Sequence, residues 1–305
     1  MKRGGSHSRI VNPNMSWLIT GSSGQLGTAL TQELSSRGLP FMATVSRDLD
    51  ITQNPLVQEF VGQLAPNVII NCAAWTDVDG VESNEELAAR VNSDGAENLA
   101  IAAKNCGAKL IHVSTDYVFS GNTHEPWLED SLKNPESSYG RTKADGEDRV
   151  LRAYPENSMI IRTAWLYSPW GKNFAKTMTR LALDGKSEVR VVNDQNGQPT
   201  SATDLANQIV SLALSQTTSG IFHGTNSGEA TWFDFAQEVF KLVDKDLNRV
   251  LPVSSEEYPQ KANRPSFSVL SHDAWKKTTV EPMRDWRHAL ADAMPEIVSA
   301  LKTLG

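Results

Sequence analysis

Two cysteines in 305 residues are too few for a disulfide framework, and their spacing matches no zinc site. Cys72 falls inside an apolar run and Cys106 near the end of a helical pattern, so both read as buried thiols of a reducing, cytoplasmic setting. Long hydrophobic runs are missing as well, since no window approaches the roughly 18 apolar residues of a membrane span. Basic clusters are absent. With 29 Lys and Arg against 36 Asp and Glu, the net charge of −7 argues against nucleic acid or an anionic membrane as the main partner. The opening Met1-Lys2-Arg3-Gly4-Gly5-Ser6-His7-Ser8 is basic with no apolar segment behind it, so it does not read as a secretory signal. Met15 offers a second start, and residues 1–14 are expected to be a tag or a linker.

What remains is an ordinary mix, 39% hydrophobic and 21% charged, on a chain long enough for one large domain or two smaller ones. Trp17–Thr20 is a short apolar run, after which Leu26, Ala29, Leu30 and Leu34 recur at helical spacing up to Gly38. Further strands are expected at Phe41–Val45, Val68–Cys72, Leu110–Val113 and Met159–Ile161. Leu87, Val91, Leu99 and Ala102 mark a long helix closed by Gly107, and Tyr139 opens another. Strands alternating with helices imply a parallel sheet covered on both faces. Continuous rather than alternating apolar runs fit strands buried on both sides. The fold class is therefore α/β, with a doubly wound parallel sheet over residues 15–165. Beyond Arg162 the pattern loosens into helices at Phe174–Leu183, Asp204–Leu214, Phe233–Val243 and Arg284–Leu301, with strands at Val189–Val192, Ile221–His223 and Arg249–Val253. Residues 166–305 are expected to form a smaller substrate-binding domain that returns to the first sheet around 202–226.

Gly21, Gly24 and Gly27 stand at the first strand-to-helix turn with the spacing G-x-x-G-x-x-G. Glycine lets the backbone approach a pyrophosphate whose charge settles on the free N–H groups of a helix N-terminus. A plain tight turn is the other use of such glycines. The second strand ends in Ser46-Arg47-Asp48. Arginine there suits the 2′-phosphate of NADPH, whereas Asp48 leaves NADH open through the ribose hydroxyl.

Ser138-Tyr139-Gly140-Arg141-Thr142-Lys143 puts a phenol and an ammonium four residues apart, on one face of a helix. An ammonium favours the phenolate and so is expected to lower the tyrosine's pKa, which suits general acid–base work on an oxygen. A half-buried ring beside a solvated amine is the ordinary alternative. Strand four ends in Ser114 and Thr115, where a hydroxyl can bond the substrate oxygen that Tyr139 protonates. Capping is the competing role for both. His112, at mid-strand, reads as a satisfied core histidine.

Taken together, the glycine turn, a Ser/Thr after strand four and Tyr-x-x-x-Lys resemble an extended short-chain dehydrogenase/reductase acting on nucleotide sugars. The finer motifs resemble the dTDP-4-dehydrorhamnose reductase family: Leu49-Asp50-Ile51-Thr52, Asn71-Cys72-Ala73-Ala74-Trp75-Thr76-Asp77-Val78-Asp79, Ser114–Phe119 and Pro126-Trp127. They continue with Arg162–Tyr167, Asn173–Met178, Asp194-Gln195-Asn196-Gly197-Gln198-Pro199-Thr200 and Arg264-Pro265, so the likeness runs from about residue 16 to the C-terminus. It implies a Rossmann-type sheet and reduction of the C4 ketone of dTDP-4-dehydro-L-rhamnose to dTDP-L-rhamnose by NADPH. Tyr139 would be the proton donor, Lys143 would hold the cofactor ribose, and Thr115 would polarise the carbonyl. Gly21, Ser23, Gly24, Gln25, Leu26, Gly27, Arg47, Asp50, Ile51, Cys72, Ala73, Ala74 and Thr76 would line the cofactor. Val78, Trp165, Asn173, Asp194, Gln195, Pro199, Thr200 and Arg264 would face the nucleotide sugar, although Trp165 also suits a core indole.

Some relatives dimerise around a metal held by glutamates, one of them soon after the glycine turn. Here that stretch is Thr28-Ala29-Leu30, so no metal is expected, and a monomer or weak homodimer is. The basic lead-in leaves open a fusion or association with the pathway's epimerase. Two other functions stay in competition: a nucleotide-sugar epimerase or dehydratase, since Asp116 follows Thr115, and a non-catalytic NADP-binding regulatory subunit.

Overall fold

Five apolar stretches lie side by side as β1 (Trp17–Thr20), β2 (Phe41–Thr44), β3 (Val68–Asn71), β4 (Lys109–Thr115) and β5 (Ser158–Thr163). They are seen in a computed structural model that describes residues 16–185 and 187–302; residues 1–14, read as a tag or linker, lie outside the described residues. A sixth strand, Gly220–His223, joins the sheet beside β5. The order across the sheet is Gly220–His223, β5, β4, β3, β1, β2, and every neighbouring pair is parallel.

The continuous apolar runs have the physical cause the sequence suggests. Trp17 and Ile19 of β1, and Val68 and Ile70 of β3, enter one core layer, with α1 (Gln25–Ser36) and the helix Ala202–Leu214. Leu18 and Ile69 enter the opposite layer, with α2 (Asn54–Leu64) and the helix Gly95–Cys106. A strand covered on both faces needs apolar residues at every position, each contributing about 1.5–3 kcal/mol when buried. The periodicity does not reveal α2, because only Val57 and Val61 are buried there and Gly62 interrupts the pattern. Pro55 in its first turn is the local signal that marks it.

The long helix expected from Leu87 to Ala102 is continuous but not uniform. Glu85–Ala89 is α-helical, Arg90–Asp94 is a π-turn, and Gly95–Cys106 resumes the α-helix. π-turns of this kind recur at functional sites. This one turns Asn92 and Ser93 onto the helix Ser138–Ala153, where Ser93 Oγ donates to the carbonyl of Thr142 at 2.9 Å. Contact is so close that a Cβ on Gly146 would sit 2.2 Å from the Asn92 carbonyl oxygen.

A third core gathers Phe235, Val239 and Phe240 of the helix Trp232–Leu242 with Trp286, Leu290 and Ile297 of the helix Trp286–Lys302. Val189–Val192 pairs in parallel with Val250–Val253 at its edge. No helix among the described residues is long and apolar enough to cross a membrane. The order in which strands are laid down reverses at β1, which has β2 on one side and β3 on the other. At such a switch point a crevice opens beyond the carboxyl ends of the strands.

Candidate active site

The crevice is a cavity of about 780 Å³, lined from the ends of β1 to β5. Its floor is the glycine turn. Gly21 has φ +69°, and a Cβ there would come within 2.6 Å of the Ala73 backbone nitrogen across the switch point. A Cβ on Gly27 would lie 2.4 Å from the carbonyl oxygen of Gly21. Only glycine allows the turn to close this tightly. Helix α1 starts here with no acidic residue in its first turn and no side-chain cap on its N-terminus. Its free N–H groups and positive end present an anion site to the cavity.

Val45, Ser46, Leu49, Asp50, Ile51 and Thr52 form the next wall, after β2. Asp50 accepts from the N–H and hydroxyl of Thr52, at 3.0 and 2.8 Å. After β3 come Cys72, Ala73, Ala74, Thr76 and Val78. Burial pushes the Cys72 thiol up to about 12, which keeps it protonated and inert.

Thr115, Asp116, Tyr139 and Lys143 meet at the centre. The helix Ser138–Ala153, which carries Tyr139 and Lys143, starts at Ser137, whose hydroxyl accepts from the N–H of Gly140 at 3.1 Å. Gly140 is needed there because a Cβ would press within 2.2 Å of the Tyr117 carbonyl oxygen. Tyr117 in turn sets its ring edge-on to Tyr139, with centroids 5.6 Å apart. The Lys143 side-chain nitrogen is buried and donates to the Val113 carbonyl at 2.7 Å. Thr115 donates to Asp116 Oδ1 at 2.9 Å and accepts from the N–H of Tyr117 at 3.2 Å.

The tyrosine's acidity departs from the sequence expectation. Burial pushes the phenol of Tyr139 up to about 12; hydrogen bonding from Thr115 opposes the rise and the Asp116 charge adds to it. Burial likewise lowers Lys143, to about 8, against the pull of Glu147 and Cys72. Desolvation governs both groups, the fully buried lysine and the partly buried tyrosine alike. Asp116, also enclosed, is pushed up to about 6 by burial.

At the far end the cavity is closed by Trp165, which has φ +44° and stacks on Trp232, centroids 3.7 Å apart and planes 11° from parallel. A non-glycine residue in the left-handed region is strained, and such strain gathers at functional sites. Gly197 lies against the indole edge, where a Cβ would be 2.5 Å from Trp165 Cε2.

The RmlD substrate binding domain family matches residues 15–299. The chain belongs to this family. A dTDP-4-dehydrorhamnose reductase of Streptomyces griseus is 44% identical over 93% of this chain and 95% of its own length. A dTDP-4-keto-6-deoxy-D-glucose reductase of Streptomyces niveus is also 44% identical, over 92% of this chain and 96% of its own. The crystal structure of dTDP-4-dehydrorhamnose reductase from Bacillus anthracis in complex with NADP superimposes with a TM-score of 0.88 at 38% identity, covering 92% of this chain and 99% of that one.

Several residues that the resemblance to this RmlD family singles out stand away from the cavity wall. Arg47 is at its rim, with 87% of its side chain exposed and its guanidinium 3.6 Å from Asp48. Asn173 caps the helix Phe174–Asp184 and donates to Gln25 Oε1 at 2.9 Å, which ties α1 to the third core. Asp194 accepts from the N–H and hydroxyl of Ser255, and Gln195 donates to the same hydroxyl at 2.9 Å. Thr200 is buried, its hydroxyl donating to the Gln198 carbonyl, and Pro199 beside it is buried too. Arg264 makes a bidentate pair with Asp79, at 2.9 and 3.2 Å. Those hydrogen bonds hold the Asp79 carboxyl below the usual carboxylate range.

Two contributors escape the sequence reading, and a third, Arg162, enters it only as the first residue of a motif, without its partner. Asn92 accepts from the N–H of Trp75 at 2.8 Å and donates to Thr142 on the helix Ser138–Ala153 at 3.0 Å, joining two walls. Trp232 buttresses Trp165. Arg162, nearly fully buried, forms a two-pronged ion pair with Glu147 at 2.8 and 2.9 Å, one turn beyond Lys143. The sequence offers only a weak trace of each, because every one of these partners is distant along the chain.

Proposed function

We propose that the protein is an oxidoreductase that reduces the C4 ketone of dTDP-4-dehydro-L-rhamnose to dTDP-L-rhamnose with NADPH. One observation carries the reading: Thr115, Tyr139 and Lys143 face the same cavity that begins at an uncapped helix N-terminus behind a glycine turn. Membership of the RmlD family supports it, as do the reductases among the relatives and the NADP held by the Bacillus anthracis neighbour. Solved epimerase and dehydratase structures at 18% identity share the fold alone.

When bound, the dinucleotide supplies the hydride. The α1 N-terminus would hold its pyrophosphate, on a turn that Gly21 and Gly27 allow to close tightly. Arg47, exposed at the rim, suits a 2′-phosphate. Tyr139, kept protonated by burial, gives its phenolic proton to the ketone oxygen as that oxygen gains charge. An alkoxide is a stronger base than a phenolate, so the transfer runs downhill even from this phenol. Thr115 lies between Asp116, to which it donates, and the Tyr139 phenol, whose rise in pKa it opposes. Lys143, four residues along the same helix face, lines the cavity and would hold the cofactor ribose. Trp165 walls the sugar end, and Arg264 and the Asp194–Thr200 segment serve the nucleotide. In this reading residues 15–165 carry the cofactor and 166–305 the sugar. Cysteine use supports a cytoplasmic enzyme, and we take it to act as a monomer or weak homodimer.

The test is the fall in NADPH absorbance with dTDP-4-dehydro-6-deoxy-L-mannose as substrate, run beside the D-glucose epimer that the Streptomyces niveus relative takes. Tyr139→Phe is expected to lose about a hundredfold or more of the rate. Full activity in that variant would sink the mechanism.

A further inference from the structure

Lys143 is not alone beneath the cavity. Its Nζ lies 3.4 Å from Nε2 of His112, a fully enclosed ring in the middle of β4. On the ring's other side Nδ1 is 3.0 Å from the side-chain nitrogen of Asn71, at the end of β3. The orientation of that asparagine is fixed by groups that leave it no choice. Its Oδ1 is 3.1 Å from the backbone N–H of Ala73, which can only donate, and accepts from Thr20 Oγ1 at 2.7 Å. The amide NH₂ therefore faces His112 Nδ1, and that nitrogen must be the acceptor. Burial holds the imidazole pKa well below its ordinary value, with the Lys143 charge acting in the same direction, so the ring is neutral. A neutral ring that accepts at Nδ1 carries its one proton on Nε2. The N–H so placed is aimed at the nitrogen of Lys143.

An ammonium has three donors and no lone pair, so it meets an N–H unfavourably; a neutral amine can accept from it. From these contacts we infer that His112 is a positioning residue for the reaction, its Nε2–H holding Lys143 as a neutral amine against the Val113 carbonyl in the cofactor-free protein. This rests on the reductase reading only for its catalytic consequence. The groups facing Lys143 are few. They are the His112 ring and Val113 carbonyl from β4, the Cys72 thiol after β3, and Glu147 one turn along its own helix. Glu147 favours the ammonium, but its carboxylate is shared with Arg162 and Lys133. Burial already lowers Lys143 to about 8, and the facing N–H adds to that. The arrangement also runs without a gap from Ala73, on the cofactor wall, through Asn71 and His112 to the lysine.

The decisive measurement is nitrogen-15 NMR of the cofactor-free protein. The His112 ring, assigned by its disappearance in His112→Gln, should show a protonated Nε2 and an unprotonated Nδ1. The Lys143 side-chain nitrogen, assigned with Lys143→Arg, should titrate about one pH unit higher in His112→Gln, whose carbonyl can accept from the ammonium. The alkaline limb of kcat should rise by the same amount, while His112→Leu, which offers no acceptor, should not show that rise. A proton on Nδ1, or an unchanged lysine midpoint in His112→Gln, would overturn the inference. Should the variants fail to fold, the wild-type ring nitrogens decide alone. Failure to reduce any nucleotide sugar would remove the functional reading and leave these spectra standing.

Discussion

Asp116 is the residue whose replacement separates stability from catalysis most sharply. Its carboxyl is 2% exposed; Oδ1 accepts from Thr115, and Ser268 also acts on the carboxyl to favour its charged form. Burial raises its pKa from 3.8 to about 6. The sign follows from proton binding. Between these values the folded state binds the proton that the unfolded chain releases, so ionisation weakens folding as pH rises through about 6 and is without cost below about 4. The difference of 6 − 3.8, about 2.2 pH units at 1.36 kcal/mol each, bounds the cost near 3 kcal/mol at neutral pH. Asparagine keeps the acceptor for Thr115 and removes the charge. Asp116→Asn is therefore expected to unfold in urea with a free energy about 2–3 kcal/mol higher than wild type at pH 7.5, the gain fading to nothing near pH 4. The same change removes a charge that opposes the Tyr139 phenolate, so the phenol should titrate lower. A stability gain independent of pH, or a loss at pH 7.5, would refute the argument that burial governs this carboxyl.

Arg47→Ala is expected to raise the KM for NADPH about tenfold, a contact of about 1.4 kcal/mol, and to leave that for NADH unchanged; equal effects on both would remove its 2′-phosphate role. Arg162→Leu strands the buried Glu147 carboxylate and is expected to cost about 3–5 kcal/mol, much of it restored when Glu147→Leu is added. A double-mutant cycle on urea unfolding reads both terms, and simple additivity would contradict the pair.

The chain by itself determines whatever depends on neighbours in sequence. Glycines three apart specify a tight strand-to-helix turn, and a spacing of four puts Tyr139 and Lys143 on one helix face. Unbroken apolar runs specify a sheet covered on both sides, because each strand residue meets a helix layer whichever way it points. Helix α2 lies at the limit, its two buried valines too few to raise a pattern. Tertiary structure decides the rest. The partner of Lys143 is a histidine 31 positions away, Arg264 closes on Asp79 across 185, and Trp165 leans on Trp232. It also decides the acidity of Tyr139: an adjacent ammonium predicts a lowered pKa, yet enclosure raises it to about 12. Spacing is written in covalent geometry, whereas dielectric surroundings and hydrogen-bond partners exist only once distant segments have packed together.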